Sequence, residues 1–142
     1  MFTEEQALFL TNMVIEGKNI FISGGTSTGK TTLLKALCEK IPKDERVIVL
    51  EDSGELRIEN LPNIVSMECR KATSNSISDI TMSDLIKASL RMRPDRLIIG
   101  EIRDGEALIN MINGLNTGHS GMCTGHSNSA ESMVRRMEAM YL

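Results

Sequence analysis

The sequence predicts an α/β fold, with a mainly parallel sheet covered by helices on both faces. Three observations predict it. Short apolar runs rich in β-branched residues alternate along the chain with segments of helical spacing. A glycine-rich stretch, residues 24–29, falls on a turn between one such run and one such segment. And 142 residues, 41% of them hydrophobic, supply one domain with a proper core, without an internal repeat, a linker or a low-complexity tract.

The elements follow in order. Residues 3–16 read as a helix: Thr3 with Gln6 makes a capping box, Ala7, Leu8, Leu10, Met13 and Val14 make an apolar face, and Gly17 ends it. Asn19-Ile20-Phe21-Ile22 is a buried strand. After the glycines a helix runs to about Lys40 and is stopped by Pro42. Residues 46–50 form a second strand, which ends in Glu51-Asp52-Ser53-Gly54-Glu55, and residues 63–67 form a third. The polar residues 70–79 suggest a mobile loop. Thr81 with Asp84 opens a helix that ends before Pro94. Residues 96–100 make a short buried strand closed by Glu101, and residues 104–113 a helix with Ala107, Leu108, Met111 and Ile112 inward. The glycine-rich residues 118–125 hold a strand at 122–124, and Ser129 caps a last helix.

The turn after the first strand carries the strongest chemical signal. In "ISGGTSTGKTT", residues 22–32, Gly24, Gly29, Lys30 and Thr31 match G-x-x-x-x-G-K-[ST] without a mismatch. A phosphate chain wrapped by backbone N–H groups needs glycine where a side chain would block the approach or where φ is positive. The loop Gly24, Gly25, Thr26, Ser27, Thr28, Gly29 supplies that wrap, and Lys30, Thr31 and Thr32 open a helix whose free N–H groups and positive dipole end face the phosphates. Lys30 then reaches the β- and γ-phosphates of ATP, and the Thr31 hydroxyl ligates Mg2+.

Ligands on parallel sheets bind at the carboxyl ends of strands. The sequence therefore places four segments at one edge: the phosphate loop, the 51–55 acids, Glu101, and the region of His119 and His126. Glu101 closes an apolar strand as a Walker B acid does, with Gly100 where an aspartate is usual. Glu51, Asp52 and Glu55 fit a solvated turn, or an acid that orients the attacking water or holds the metal's water shell. Thr31, Glu101 and Asp52 are thus the candidate metal-side residues. His119 and His126 are candidates for hydrogen bonds near the γ-phosphate, and with Cys123 they make only a poor zinc set. Arg91, Arg93, Arg96 and Arg103 cluster around Pro94, either as helix-end charge or as phosphoryl-stabilising groups in this site or a neighbouring subunit's.

Composition trims the alternatives. The net charge of -3, from 16 basic and 19 acidic residues, argues against coating nucleic acid by bulk charge, and 3% aromatic content is thin for base stacking. Three scattered cysteines, Cys38, Cys69 and Cys123, fit a reducing compartment better than a disulfide framework. No apolar stretch reaches membrane-spanning length and no signal peptide precedes the first helix. Ten methionines suggest adaptable core filler.

Taken together, "GGTSTGKTT", "LEDSGEL", "LRMRPDRLIIGEIRDGEA" and "NTGHSGMCTGHSNSAESMVRRME" resemble the Walker A, Asp box, Walker B and His box of the secretion ATPases. That is the type II/type IV secretion superfamily of hexameric motors, and the match is nearest to Tad/Flp pilus-assembly and conjugal-transfer ATPases. Ser127 stands where the family usually has alanine. The resemblance implies a RecA-like P-loop NTPase core spanning residues 1–142, with the family's N-terminal domain and C-terminal helices absent. It implies an ATPase using ATP and Mg2+ to energise a bacterial secretion, pilus-assembly or conjugation machine. The full-length protein would be a homo-hexamer on inner-membrane platform or secretion-channel proteins, cytoplasmic at the inner face of the membrane, without direct nucleic-acid binding. Family members complete the site with arginines of the N-terminal domain and of neighbouring subunits, so this chain alone is expected to be mostly monomeric, to bind nucleotide and to turn it over slowly. The competing readings are a nucleotide-binding and oligomerisation module with little hydrolysis and, less favoured, a RecA-like motor acting on nucleic acid.

Overall fold

Five strands pair in parallel into one sheet: β1 (Ile20–Gly24), β2 (Val47–Glu51), β3 (Ile64–Glu68), β4 (Arg96–Ile99) and β5 (Ser120–His126), in the spatial order β1-β5-β4-β2-β3. The computed structural model describes residues 2–75 and 78–142. The five helices are α1 (Glu4–Ile15), α2 (Lys30–Cys38), α3 (Met82–Ser89), α4 (Gly105–Asn116) and α5 (Ala130–Tyr141).

The unbroken apolar runs have a direct cause. Every residue of β2 and β4 is buried, because both faces of the inner strands are covered. Alternate residues serve the two faces. Ile22, Val47, Val49, Ile98 and Met122 pack with Val14 of α1 and with Leu34, Leu37 and Cys38 of α2. Ile48, Leu50, Leu97, Ile99 and Cys123 pack with Leu85 and Ile86 of α3 and with Ala107, Leu108 and Met111 of α4. Methionines fill this second face, with Met82 and Met111 buried and Met137 and Met140 of α5 partly so.

Local chemistry sets the helix starts. Thr3 and Thr81 form complete capping boxes with Gln6 and Asp84, while Asp104 and Ser129 cap α4 and α5 with single side-chain bonds. Hydrogen bonds from Thr81 hold the Asp84 carboxyl below its usual range.

Two expectations change. The strand expected at 122–124 is longer, because Arg96 pairs with Ser120 at its start and Gly24 with His126 at its end. Its glycines read as loop but answer to packing: a Cβ on Gly125 would lie 2.7 Å from Phe21 and 2.8 Å from Met133. The 70–79 segment is tied at its base by an antiparallel bridge between Arg70 and Ile80, and the Ala72 amide donates to the Asp79 carboxylate. Residues 76 and 77, which fall in the expected mobile loop, lie outside the described residues.

Candidate functional site

The carboxyl edge of the sheet gathers the chemistry. The β1–α2 loop bends through two left-handed residues, Ser27 at φ 58° and Gly29 at φ 92°. A Cβ on Gly24 would come within 2.5 Å of the Thr28 hydroxyl, so the loop closes this tightly only around glycine. The Thr28 hydroxyl and the Lys30 ammonium both donate to the Gly25 carbonyl, at 2.8 and 2.7 Å. Lys30 thus lies across the loop, and among the described residues no carboxylate stands within salt-bridge distance of it. The helix that follows differs from the other four. Its N-cap is Gly29 and has no side-chain hydrogen bond, so the first-turn N–H groups of α2 have no capping oxygen.

The acids come from the neighbouring strand ends. Glu51 closes β2 and is 6% exposed. Its Oε1 accepts the Leu56 amide at 2.7 Å and the Glu55 amide at 3.2 Å. One carboxylate oxygen therefore folds the 51–56 turn and presents Asp52, Ser53 and Glu55 to the cleft. Gly100 follows β4 in the place where an aspartate is usual, and a Cβ there would touch Glu51 Cγ at 3.4 Å. Glu101 comes next and accepts from Arg103 Nε. The Arg103 guanidinium also lies 3.6 Å from the Asp52 carboxylate, so one arginine bridges two acids. The Glu101 hydrogen bond is the main cause that holds the Arg103 pKa above its ordinary value, ahead of the Asp52 charge.

Two adjoining hollows share Lys30, Glu101 and Arg103. One, of about 130 Å³, is also lined by Thr31, Glu51, Asp52, Glu55 and Thr124. The other, of about 450 Å³, is also lined by Thr26, Ser27, His126 and Arg136. Lys30, Arg103 and Arg136 face four carboxylates there, an arrangement of compact positive charge beside acids able to hold water or a hard cation. Gly25 and Thr32 flank the loop and the first turn of α2 without lining either hollow.

Not every candidate converges. His119 precedes β5 and stands at the amino edge, with its Nδ1 3.0 Å from the Gly114 carbonyl and 3.2 Å from the Thr117 hydroxyl. His126 ends the same strand, so the two histidines are separated by its length, roughly 20 Å at the usual rise. The expected paired-histidine region at one edge is therefore corrected to His126 alone. A zinc ion cannot touch both histidines, and Cys123 between them is buried in the core. The arginine cluster divides in the same way. Arg91 and Arg93 lie ahead of β4, at the edge away from Lys30, while Arg103 lies beyond its other end. Arg96 is buried and pairs with Glu45 at 3.1 Å. For this chain's own site, Arg91, Arg93 and His119 are set aside because a parallel strand separates them from the loop.

Sequence reasoning missed Thr124 and Arg136. Arg136 Nη1 donates to the His126 carbonyl at 2.8 Å, because α5 runs back across the carboxyl edge. A helical wheel carried a signal: Arg136 sits three residues after the buried Met133, whereas Arg135 pairs outward with Glu131 at 2.7 Å. Thr124 carried none.

The profile of the family described as "Type II/IV secretion system protein" matches residues 1–142. The conjugal transfer protein TrbB of Rhizobium radiobacter is 41% identical over 144 residues, covering 99% of this chain and 42% of that protein. The type IV secretion system protein VirB11 of Bartonella henselae is 40% identical over 138 residues, covering 96% of this chain and 38% of that protein. The crystal structure of the VirB11 ATPase from the Brucella suis type IV secretion system matches with a TM-score of 0.84 and 34% identity, covering 96% of this chain and 38% of that one. The pilus retraction motor PilT shares the fold, with a TM-score of 0.75 at 21% identity over 100% of this chain and 40% of that one. The chain spans about two fifths of the length of these curated relatives.

Proposed function

The chain belongs to the type II/IV secretion system protein family, and from that membership we propose that it is an ATP-binding and hydrolysing motor domain energising a secretion, pilus-assembly or conjugation machine. The observation that carries the proposal is the β1–α2 turn. There an uncapped helix start, a left-handed Gly29 and a Lys30 bonded to a loop carbonyl face the Glu101–Arg103–Asp52 group across one cleft.

In this reading the loop N–H groups and the α2 terminus wrap the phosphates, and Lys30 exchanges the Gly25 carbonyl for phosphate oxygen. Thr31, Asp52 and Glu101 line the same cleft with hydroxyl and carboxylate oxygen, the donor set a Mg2+ ion prefers. When bound, Mg2+ would polarise the phosphate oxygens as a Lewis acid. Glu101 is the residue to orient a water and take its proton, since it is half-buried and Arg103, its only side-chain partner among the described residues, is exposed. Glu51 holds the turn rather than the water, because its Oε1 is committed to two amides. Besides Lys30, Arg103 and Arg136 line the same hollow as positive charges that can face the developing phosphoryl charge. A homo-hexamer in which Arg91 or Arg93 serves a neighbouring copy, working on platform or channel proteins at the inner face of the membrane, is part of the proposal. Among the described residues no helix is long and apolar enough to cross a membrane.

The test compares the parent with Lys30→Ala and Glu101→Gln. Lys30→Ala should weaken Mg-ATP binding about tenfold or more by calorimetry, since charge-assisted contacts contribute roughly 1.5–3 kcal/mol. Glu101→Gln should keep binding while phosphate release falls about 100-fold. Equal affinity in Lys30→Ala would sink the site assignment. A parent that binds ATP without releasing phosphate would favour the binding-module reading.

A further inference from the structure

We propose that Thr124 is a positioning residue that holds Glu101 in register from both sides. The inference rests on the ATPase reading above and deepens it. Thr124 lies in β5 between β4 and β1, opposite Ile22, and is 1% exposed. Its hydroxyl donates to the Gly100 carbonyl at 2.5 Å. Its own carbonyl accepts the Ile102 amide at 2.9 Å. The two residues that flank Glu101 in the chain are thus tied to one side chain and one peptide of the same buried residue.

Glu101 needs that support. The paired part of β4 ends at Ile99, and the acid hangs beyond it on Gly100, the residue type with the widest backbone freedom. Its only side-chain partner among the described residues, Arg103, is 66% exposed, and exposed pairs hold geometry weakly. The Gly100 amide is already taken by Leu50 O at 2.8 Å, so the Thr124 hydroxyl adds the second anchor on that residue. A hydroxyl at a buried inner-strand position is unfavourable unless bonded, and valine would fill the same volume. Just past the end of the same strand, the Ser127 amide donates to the Gly24 carbonyl at 3.2 Å. Thr124 therefore sits where the acid, the β5 end and the phosphate loop are joined by successive hydrogen bonds.

The experiment uses the intact chain and the variants Thr124→Val, Thr124→Ser and Glu101→Gln. Mg-ATP affinity, steady-state phosphate release and amide hydrogen exchange are measured on each. Thr124→Val should lower kcat roughly 10-fold to 100-fold, because about 1 Å of misplacement can cost that much, while nucleotide affinity stays within about twofold. Thr124→Ser, which restores the hydroxyl, should recover most of the loss. Combining Thr124→Val with Glu101→Gln should add little to Glu101→Gln alone. Exchange at the Ile102 amide should rise in Thr124→Val while the β2 amides stay protected. Parent-like kcat in Thr124→Val, a loss carried by affinity, or a serine variant no better than valine would each overturn the proposal. If Glu101→Gln is also parent-like, the catalytic role given to Glu101 fails as well and passes to Glu51 or Glu55; if Glu101→Gln is slow and Thr124→Val is not, only the positioning role fails. Should the parent release no phosphate, the carbonyl carbon-13 shift of Gly100 decides, since an unchanged shift in Thr124→Val would refute the hydroxyl tether. Thr124→Ala carries the same comparison if the valine variant does not fold.

Discussion

Cys38, Cys69 and Cys123 show how far burial, with a neighbouring carboxylate at two of them, changes one side chain. Burial, then the Glu39 charge, pushes the Cys38 thiol up to about 12 from its ordinary 9.0. Burial and the adjoining Asp52 carboxylate push Cys69 to about 11, and burial alone raises Cys123 further still. All three are held as thiols and are poor nucleophiles at neutral pH. The linkage has a definite sign. The folded chain keeps protons that the unfolded chain releases above 9.0, so this stabilisation is complete below that pH and is lost as pH rises toward the folded values. The urea midpoint should therefore fall between about pH 8.5 and about pH 10.5, and fall less steeply in Cys38→Ala. Parallel profiles for the two proteins would remove Cys38 as a contributor. Lys30 and Glu101 were legible at this scale because each is marked by its immediate neighbours, a glycine loop and an apolar run.

Among the elements, the α4–α5 contact is the tightest point. A Cβ on Gly105, the first residue of α4, would lie 2.3 Å from the Met140 carbonyl oxygen near the end of α5. That oxygen belongs to the backbone and cannot rotate aside, so α5 must shift. Gly105→Ala should cost about 1–3 kcal/mol of unfolding free energy. Gly114→Ala should cost less, although its Cβ would approach Leu90 Cδ2 at 2.6 Å, because a leucine tip can change rotamer. Urea unfolding of both variants checks the order, and a milder Gly105→Ala would show that α5 is only loosely docked. Helix starts were legible from sequence: the Thr3 amide bonds Gln6 at 3.0 Å and the Thr81 amide bonds Asp84 at 2.9 Å, as the capping-box spacing predicts. The contact at Gly105 was not legible, because its partner lies one whole helix and strand away.

Across the whole molecule the two sheet edges divide the labour. The carboxyl edge carries the charges of the cleft, and the amino edge carries the buried Arg96 paired with the half-buried Glu45. Arg96 is 2% exposed, its Nε donates to Glu45 Oε1 at 3.2 Å, and its Nη2 lies 3.1 Å from Glu45 Oε2. Removing one partner strands the other's charge. Glu45→Ala should therefore cost about 3–5 kcal/mol in unfolding experiments, with Mg-ATP affinity unchanged because β4 separates the pair from the loop. Weakened nucleotide binding in a folded Glu45→Ala protein would show that the edges are coupled. A double replacement by Glu45→Ala and Arg96→Met should recover most of the loss, since it leaves no unpaired charge.

The sequence by itself determined the element types, the helix caps, the phosphate loop and the acids at the ends of β2 and β4. Each of these depends on residues within a few positions: hydroxyl and carboxyl caps, apolar period, and glycine where the chain turns left-handed. Strand order needed the folded chain, because parallel pairing joins distant segments, as where Ile20 of β1 pairs with Met122 of β5. The common direction of the parallel strands set Arg91, Arg93 and His119 at the amino edge, and the packing of β5 and α5 brought Thr124 and Arg136 to the site. A local pattern records which face a residue turns, but the sheet decides which end of the molecule that residue reaches.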